Sequence, residues 1–198
     1  MNYYKVLGED AESYHGGIGS WHKPVGKRPG KWMPNISEIH PCKRGYHLVT
    51  IDQLPQWLGP TIWRAEGRGE HKIHSDKHVF SQARLLSPVV EWDLQVAKWW
   101  ALECLEHALP LYEKRVPGDT RLRSECALIR RFLNGEIDLI EFQRSSSPSF
   151  SFSFFSFSFS SFPFSFFSSF SFSPSPLSPE SSWWAQHFAT KLGLEWDV

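Results

Sequence analysis

Cys42 and His47 lie five residues apart in the stretch Cys42-Lys43-Arg44-Gly45-Tyr46-His47, with His40 just before it and His71, His74 and His78 further along. A thiolate and neutral imidazoles form a donor set that suits zinc. The spacing matches no standard zinc finger and there is no second Cys pair, so neither a metal nor a cofactor is expected. The alternative use of these residues is a tight turn, in which Gly45 supplies a permissive backbone and His47 or Tyr46 makes a local hydrogen bond. A third use is enzymatic. His47 and Tyr46, with Glu66 or Glu70 downstream, hold the residue types of a small transferase site.

Two charged groups are candidates for binding. Lys23, Lys27, Arg28, Lys31, Lys43 and Arg44 form a basic cluster with Trp21 and Trp32 interleaved, a pattern able to hold phosphates while aromatic rings stack on bases. The competing reading is a solvated loop, and no nucleic-acid partner is expected. Asp119, Arg121 and Arg123 could pair with an acidic partner or an anion, against a competing reading of local ion pairing at a helix start. Glu103 and His107, four apart, fit a helix-surface contact better than an acid/base pair. No Gly-rich phosphate loop, nucleophile elbow or paired-Cys array is present.

The elements that must position these residues follow from local patterning. Tyr3–Leu7 reads as an opening strand. Residues 8–47, rich in Gly, Pro, Lys and His, read as loops with short strands. Thr50 and Gln53 fit a capping box ahead of a short helix over 51–58, made irregular by Pro55. Thr61–Glu66, Glu70–His74 and Lys77–Leu86 read as strands, with turns at Gly67, Gly69, Ser75 and Asp76. From Glu91 the apolar period becomes helical: Ala97, Ala101, Cys104, Leu105, Ala108 and Tyr112 recur on one face. Pro110 is expected to kink that helix and Pro117-Gly118 to end it. Asp119 is placed to cap a second helix carrying Leu122, Cys126, Ile129 and Leu133, which stops at Asn134-Gly135. Asp138 and Glu141 mark a third helix over Leu139–Arg144. The expected fold class is α+β: a mixed module over 1–90, a two- or three-helix unit over 91–144, a Ser/Phe tract over 145–182 and a short amphipathic helix over 183–198 with Trp183, Trp184, Phe188 and Leu192.

Composition narrows the class. The 198 residues carry 21 basic and 21 acidic side chains, so the net charge is zero. The balance is uneven, with 12 Lys and Arg against 8 Asp and Glu in residues 1–90 and 8 against 10 in residues 91–144. Neither a polybasic binder nor an acidic tail fits this distribution. The three widely spaced Cys read as reduced thiols. The start MNYYKVLGED lacks the pattern of a signal peptide, and no apolar run reaches about 18 residues. A cytoplasmic protein without a membrane span is expected.

Twelve of the sixteen Phe fall between Phe150 and Phe172, and residues 145–179 carry no charge. Alternating Ser and Phe would place Phe on one strand face, but the doublets at 154–155 and 160–161 flip the register, and Pro163 interrupts it. A unique fold is not favoured for this low-complexity segment. Self-association or a disordered region is expected instead. Ser and Phe share pyrimidine codons, so a pyrimidine-rich DNA repeat could encode the tract by slippage or a change of frame.

Two segments resemble known families. YYKVLGED at 3–10, His15-Gly16-Gly17, CKRGYH at 42–47 and the Trp63–Asp76 strands resemble the N-terminal module of small uncharacterised bacterial and phage proteins, in which a Cys-x-x-Gly-aromatic-His turn precedes a short helix and a hairpin. Residues 99–137 are similar to the helical domain of immunity proteins associated with polymorphic toxins. Leu109–Glu113, Asp119, Arg121, Arg123 and Gly135-Glu136 stand where that family has its helix end, Arg-x-Arg loop and Gly-Glu stop. The resemblance implies a binding protein that acts by protein–protein interaction, with Asp119, Arg121 and Arg123 at the contact. The alternative is a small enzyme or metal-binding module centred on Cys42–His47.

Overall fold

A computed structural model describes residues 2–146 and 179–194. The body of the Ser/Phe tract, and with it the expected self-association, lies outside the described residues. The fold is α+β, with an antiparallel four-stranded sheet followed, among the described residues, by four α-helices. The described residues gather into two compact units. One is built from Met1–Asp93 with the C-terminal helix, and the other begins at Leu94.

The sheet of the first unit contains β1 (Tyr3–Leu7), β2 (Tyr46–Leu48), β3 (Thr61–Ile73) and β4 (His78–Pro88), in the spatial order β1-β3-β4-β2. Beyond β2, Val49 pairs with Tyr4 of β1 through two backbone hydrogen bonds of 2.8 and 3.0 Å, which brings the two ends of the sheet together. Closing a sheet in this way removes exposed strand edges. Alternation along β1 puts Tyr3, Lys5 and Leu7 on one face. Tyr3 and Leu7 pack there with Trp21, Leu48, Trp63 and Phe80, so Lys5 shares a face with core residues.

The expected break between two strands at Gly67 and Gly69 is absent. β3 runs unbroken from Thr61 to Ile73 against β4, with Gly67 in register opposite Ala83 and Gly69 in a bulge. Pairing passes from Arg68 opposite Gln82 to His71 opposite Phe80 with one extra residue in β3. Gly69 holds φ +82°, and a Cβ there would lie 2.1 Å from the Ser81 hydroxyl oxygen. That hydroxyl accepts a 3.0 Å bond from the Glu70 N–H exposed by the bulge. At Gly67 a Cβ would meet the Phe80 ring at 2.3 Å. Glycine here admits a neighbour rather than turning the chain.

The helix expected over 51–58 shrinks to a single 3-10 turn, Leu54–Gln56, because Pro55 has no N–H to continue an α-helical ladder. Half of the capping box is present: the Thr50 N–H donates to Gln53 Oε1 at 3.1 Å. The Gln53 side-chain amide donates onward to the carbonyls of His74 and Ser75, tying this turn to the end of the hairpin.

In the second unit, α1 spans Leu94–Arg115 and continues through Pro110. Its buried face includes Ala97, Ala101, Cys104, Leu105 and Ala108 of the helical repeat read from the sequence, together with Trp100, while Tyr112 of that repeat is only half-buried. α2 (Arg121–Leu133) buries Leu122, Cys126 and Ile129. Its N-cap is Thr120 rather than Asp119, and the Thr120 side chain makes no cap bond. Asp119 acts from one position earlier, accepting the Arg121 N–H at 3.0 Å. α3 (Leu139–Ser145) starts at Asp138, whose carboxylate accepts the Glu141 N–H at 2.8 Å, and it buries Phe142 against Phe132. The C-terminal helix, α4 (Pro179–Lys191), sets Phe188 against Trp92, with 5.2 Å between ring centroids, and the Trp92 indole N–H donates to the Gly59 carbonyl. No described helix is long and apolar enough to cross a membrane.

Candidate functional site

The stretch from His40 to His47 folds into a tight turn. The His40 and Arg44 backbones bond reciprocally at 2.7 and 2.8 Å. Cys42 takes a left-handed φ of +61°, a conformation that is costly for a side chain with a Cβ. Its N–H donates to His47 Nε2 at 3.3 Å. The imidazole is therefore an acceptor at Nε2, and it fastens the turn that carries Cys42. Burial, followed by the nearby Lys5 and Lys77 charges, pushes the His47 pKa down to about 4, so the ring is neutral at pH 7. His71 and His78 stand apart from this turn as a pair, with 2.9 Å between ring nitrogens. No group of three or more His, Cys, Asp or Glu among the described residues is placed to hold a metal ion.

The turn forms one wall of a cavity of about 660 Å³ within the first unit. Lys5, Lys43, Arg44 and Lys77 supply its cations, and His15, His47, Tyr46 and Trp57 supply rings. Among the described residues, no Asp or Glu lines it. Lys5 donates to the His47 carbonyl at 3.1 Å and lies over the Trp21 ring at 5.1 Å. Neither contact neutralises the ammonium, and burial lowers its pKa to about 8. Burial would lower Lys77 as well. Its hydrogen bonds and charge interactions with Asp76 and Cys42 outweigh that effect and raise its pKa. The opposite wall is the loop around His15-Gly16-Gly17, pinned where His15 Nε2 donates to the Trp57 carbonyl at 2.8 Å.

The structure divides the basic cluster. Lys43 and Arg44 line the cavity, whereas Lys23, Lys27, Arg28 and Lys31 do not. Lys23 reaches the Glu9 carbonyl and lies 3.9 Å from Asp10. Val25 and Arg28 close a small backbone turn of their own. The two interleaved tryptophans are already occupied. Trp21 is buried beneath Lys5, and Trp32 carries the guanidinium groups of Arg68 and Arg84 at 3.9 and 4.6 Å from its ring. Sequence reasoning missed Lys5 and Lys77. The one available signal was the position of Lys5 between Tyr3 and Leu7 in an alternating strand.

In the second unit, Asp119 receives the Tyr112 hydroxyl at 2.7 Å and the Arg121 guanidinium, with Nη2 at 2.6 Å. The Arg121 guanidinium bonds, then the Tyr112 hydroxyl and the Arg121 amide, hold the Asp119 carboxyl well below the usual carboxylate range. Arg123 grips Glu113, and Arg130 grips Glu106. Both pairs join α1 to α2, and both are offset by seven residues along each helix, as antiparallel neighbours require. The Arg121 and Arg123 side chains remain 85% and 61% exposed, with Leu111 and Val116 also exposed around the same turn.

Residues 93–147 match the family model described as Imm-5 like putative immunity protein. The matched segment begins one residue before α1 and takes in α2 and α3. The immunity-protein-like segment is thus the helical unit itself, including Tyr112, Glu113, Asp119, Arg121 and Arg123. No curated protein and no solved structure matches the chain.

Proposed function

We propose that this protein is an immunity-protein-like binder that acts by protein–protein interaction, with the turn between α1 and α2 as its contact surface and an acidic protein as its partner. The observation that carries this reading is the family match on residues 93–147, a helical unit whose α1–α2 turn leaves the Arg121 and Arg123 guanidinium groups open to solvent. The Arg121–Asp119 and Arg123–Glu113 pairs cancel in charge, and Lys114 and Arg115 in the last turn of α1 give the turn its net positive charge. Leu111 and Val116 offer apolar area beside this charge, and an apolar patch with a charged rim is the usual makeup of a protein contact.

A small enzyme centred on Cys42 and His47 is less well supported. His47 Nε2 is committed to the Cys42 N–H, so that nitrogen is not available to activate the thiol. The test is affinity capture by the full chain, followed by titration of the captured and purified protein. Wild type is expected to bind it, Arg121→Glu with Arg123→Glu to weaken binding about tenfold or more, and Lys27→Glu to leave it unchanged. Equal binding by wild type and the double variant would rule out this surface.

A further inference from the structure

We propose that the cavity of the N-terminal unit is a binding site for a small phosphate-bearing ligand, held by Lys5, Lys43 and Arg44 with Lys77 behind them. The charge pattern points to an anion. Among the described residues, Lys5, Lys43 and Arg44 make no ion pair with a carboxylate and no carboxylate lines the cavity. Lys77 is neutralised by Asp76 at 2.7 Å, and the neutral His47 adds no charge. Three uncompensated cations around one concavity favour an occupant with more than one negative charge, which a phosphate group supplies at neutral pH.

Placement argues further for a built site. Lys5 stands on the core-facing side of β1, where an unpaired ammonium is costly unless something offsets it. The Gly-rich loop opposite supplies Gly16 and Gly17, whose N–H groups donate to no protein acceptor among the described residues. Free loop amides of this kind suit phosphate oxygens. Gly16 and Gly19 hold φ of +74° and +102°, and a Cβ at either would meet nothing, so glycine serves backbone shape here rather than packing. The volume of about 660 Å³ is that of a small-molecule site. Tyr14 and Tyr46 add aromatic rings to its lining, while the Trp57 ring there is already covered by the Lys77 ammonium at 4.8 Å.

The site lies wholly within residues 5–77 and does not depend on the helical unit. Calorimetric titration of the full chain with inorganic phosphate, adenosine 5′-monophosphate, adenosine and malonate tests it. One equivalent of the monophosphate, or of phosphate itself, is expected to bind, with adenosine silent and malonate weaker. Lys43→Ala with Arg44→Ala, both on exposed side chains, is expected to weaken binding about tenfold or more. Lys5→Arg should retain binding, and Lys27→Glu with Arg28→Glu, outside the cavity, should leave it unchanged. The proposal is overturned if neither phosphate probe binds at millimolar concentration, if adenosine or malonate binds as well as the phosphates, or if the Lys27/Arg28 variant loses as much affinity as the Lys43/Arg44 variant.

Discussion

Arg123 and Glu113 face each other in a two-pronged ion pair, with Nε to Oε1 and Nη2 to Oε2 both at 2.8 Å. Seven residues along each helix, Arg130 and Glu106 repeat the arrangement. This register predicts a charge-swap result. Arg130→Glu alone should lower the midpoint of denaturation, and Glu106→Arg combined with Arg130→Glu should recover most of it. A coupling energy of about 0.5 kcal/mol is expected from the double-mutant cycle, since half-exposed pairs are screened by solvent. Added salt should shrink it.

The bulge in β3 predicts a backbone penalty. Gly69→Ala forces a Cβ toward the Ser81 hydroxyl at a φ of +82°, and should destabilise the fold by about 1–2 kcal/mol. Urea denaturation reads the difference. Ser81→Ala removes the clash but leaves the φ and takes the acceptor from the Glu70 N–H, so adding it should restore at most part of the loss.

His47 predicts a stability profile in acid. Its folded-state pKa is pushed down to about 4 from an ordinary value near 6.5. Between those values the unfolded chain binds a proton that the folded chain does not. Stability therefore rises with pH across this window and is lost as pH falls from 6.5 toward 4. His15, His71 and His78 are also lowered, mainly by burial, and act in the same direction. Melting temperatures recorded from pH 4 to 7 should climb steeply in wild type and less steeply in His47→Gln.

Lys5 predicts a loss of anion binding in base. The groups facing it are His15 from the Gly-rich loop, His47 from β2, and Lys77 with its partner Asp76 from the β3–β4 turn. With its pKa near 8, the ammonium gives up its proton as pH rises past that value. Phosphate affinity should fall between about pH 8 and 9, and binding within that range should take up a fraction of a proton. Lys5→Arg stays charged and should remove this step.

The three thiols should react unequally. Cys42 is exposed, whereas Cys104 and Cys126 are buried. Burial, followed by the Glu106 and Glu125 charges, pushes the Cys126 thiol up to about 12. Because the thiolate is the reactive form, brief iodoacetamide treatment at pH 8 should label Cys42 and spare the other two in mass spectra. Labelling of all three at one rate in native protein would contradict this packing.

Much of the fold could be read from local pattern. The strand at Tyr3–Leu7, the apolar repeat from Ala97 to Ala108, the Leu122-Cys126-Ile129 stripe and the Asp138 cap all reside in neighbours within about four residues. Those are the distances over which strand and helix periods act. The turn reading of Cys42–His47 belongs with them, since its hydrogen bond spans five residues. Gly67 and Gly69 misled for a physical reason. A glycine that turns the chain and a glycine that makes room for Phe80 or Ser81 look the same until the partner strand is in place.

The sites divide along the same line. Composition already separated a basic N-terminal half from a balanced helical segment, and the Arg-x-Arg stretch already stood at a helix start. Which cations share one cavity was decided by folding alone. Lys5 meets the His47 carbonyl across 42 residues of chain, and it does so because Tyr4 pairs with Val49 to draw the ends of the sheet together. No local period carries that information, because it depends on strand register and closure, and these arise only when distant segments bury their apolar faces against each other.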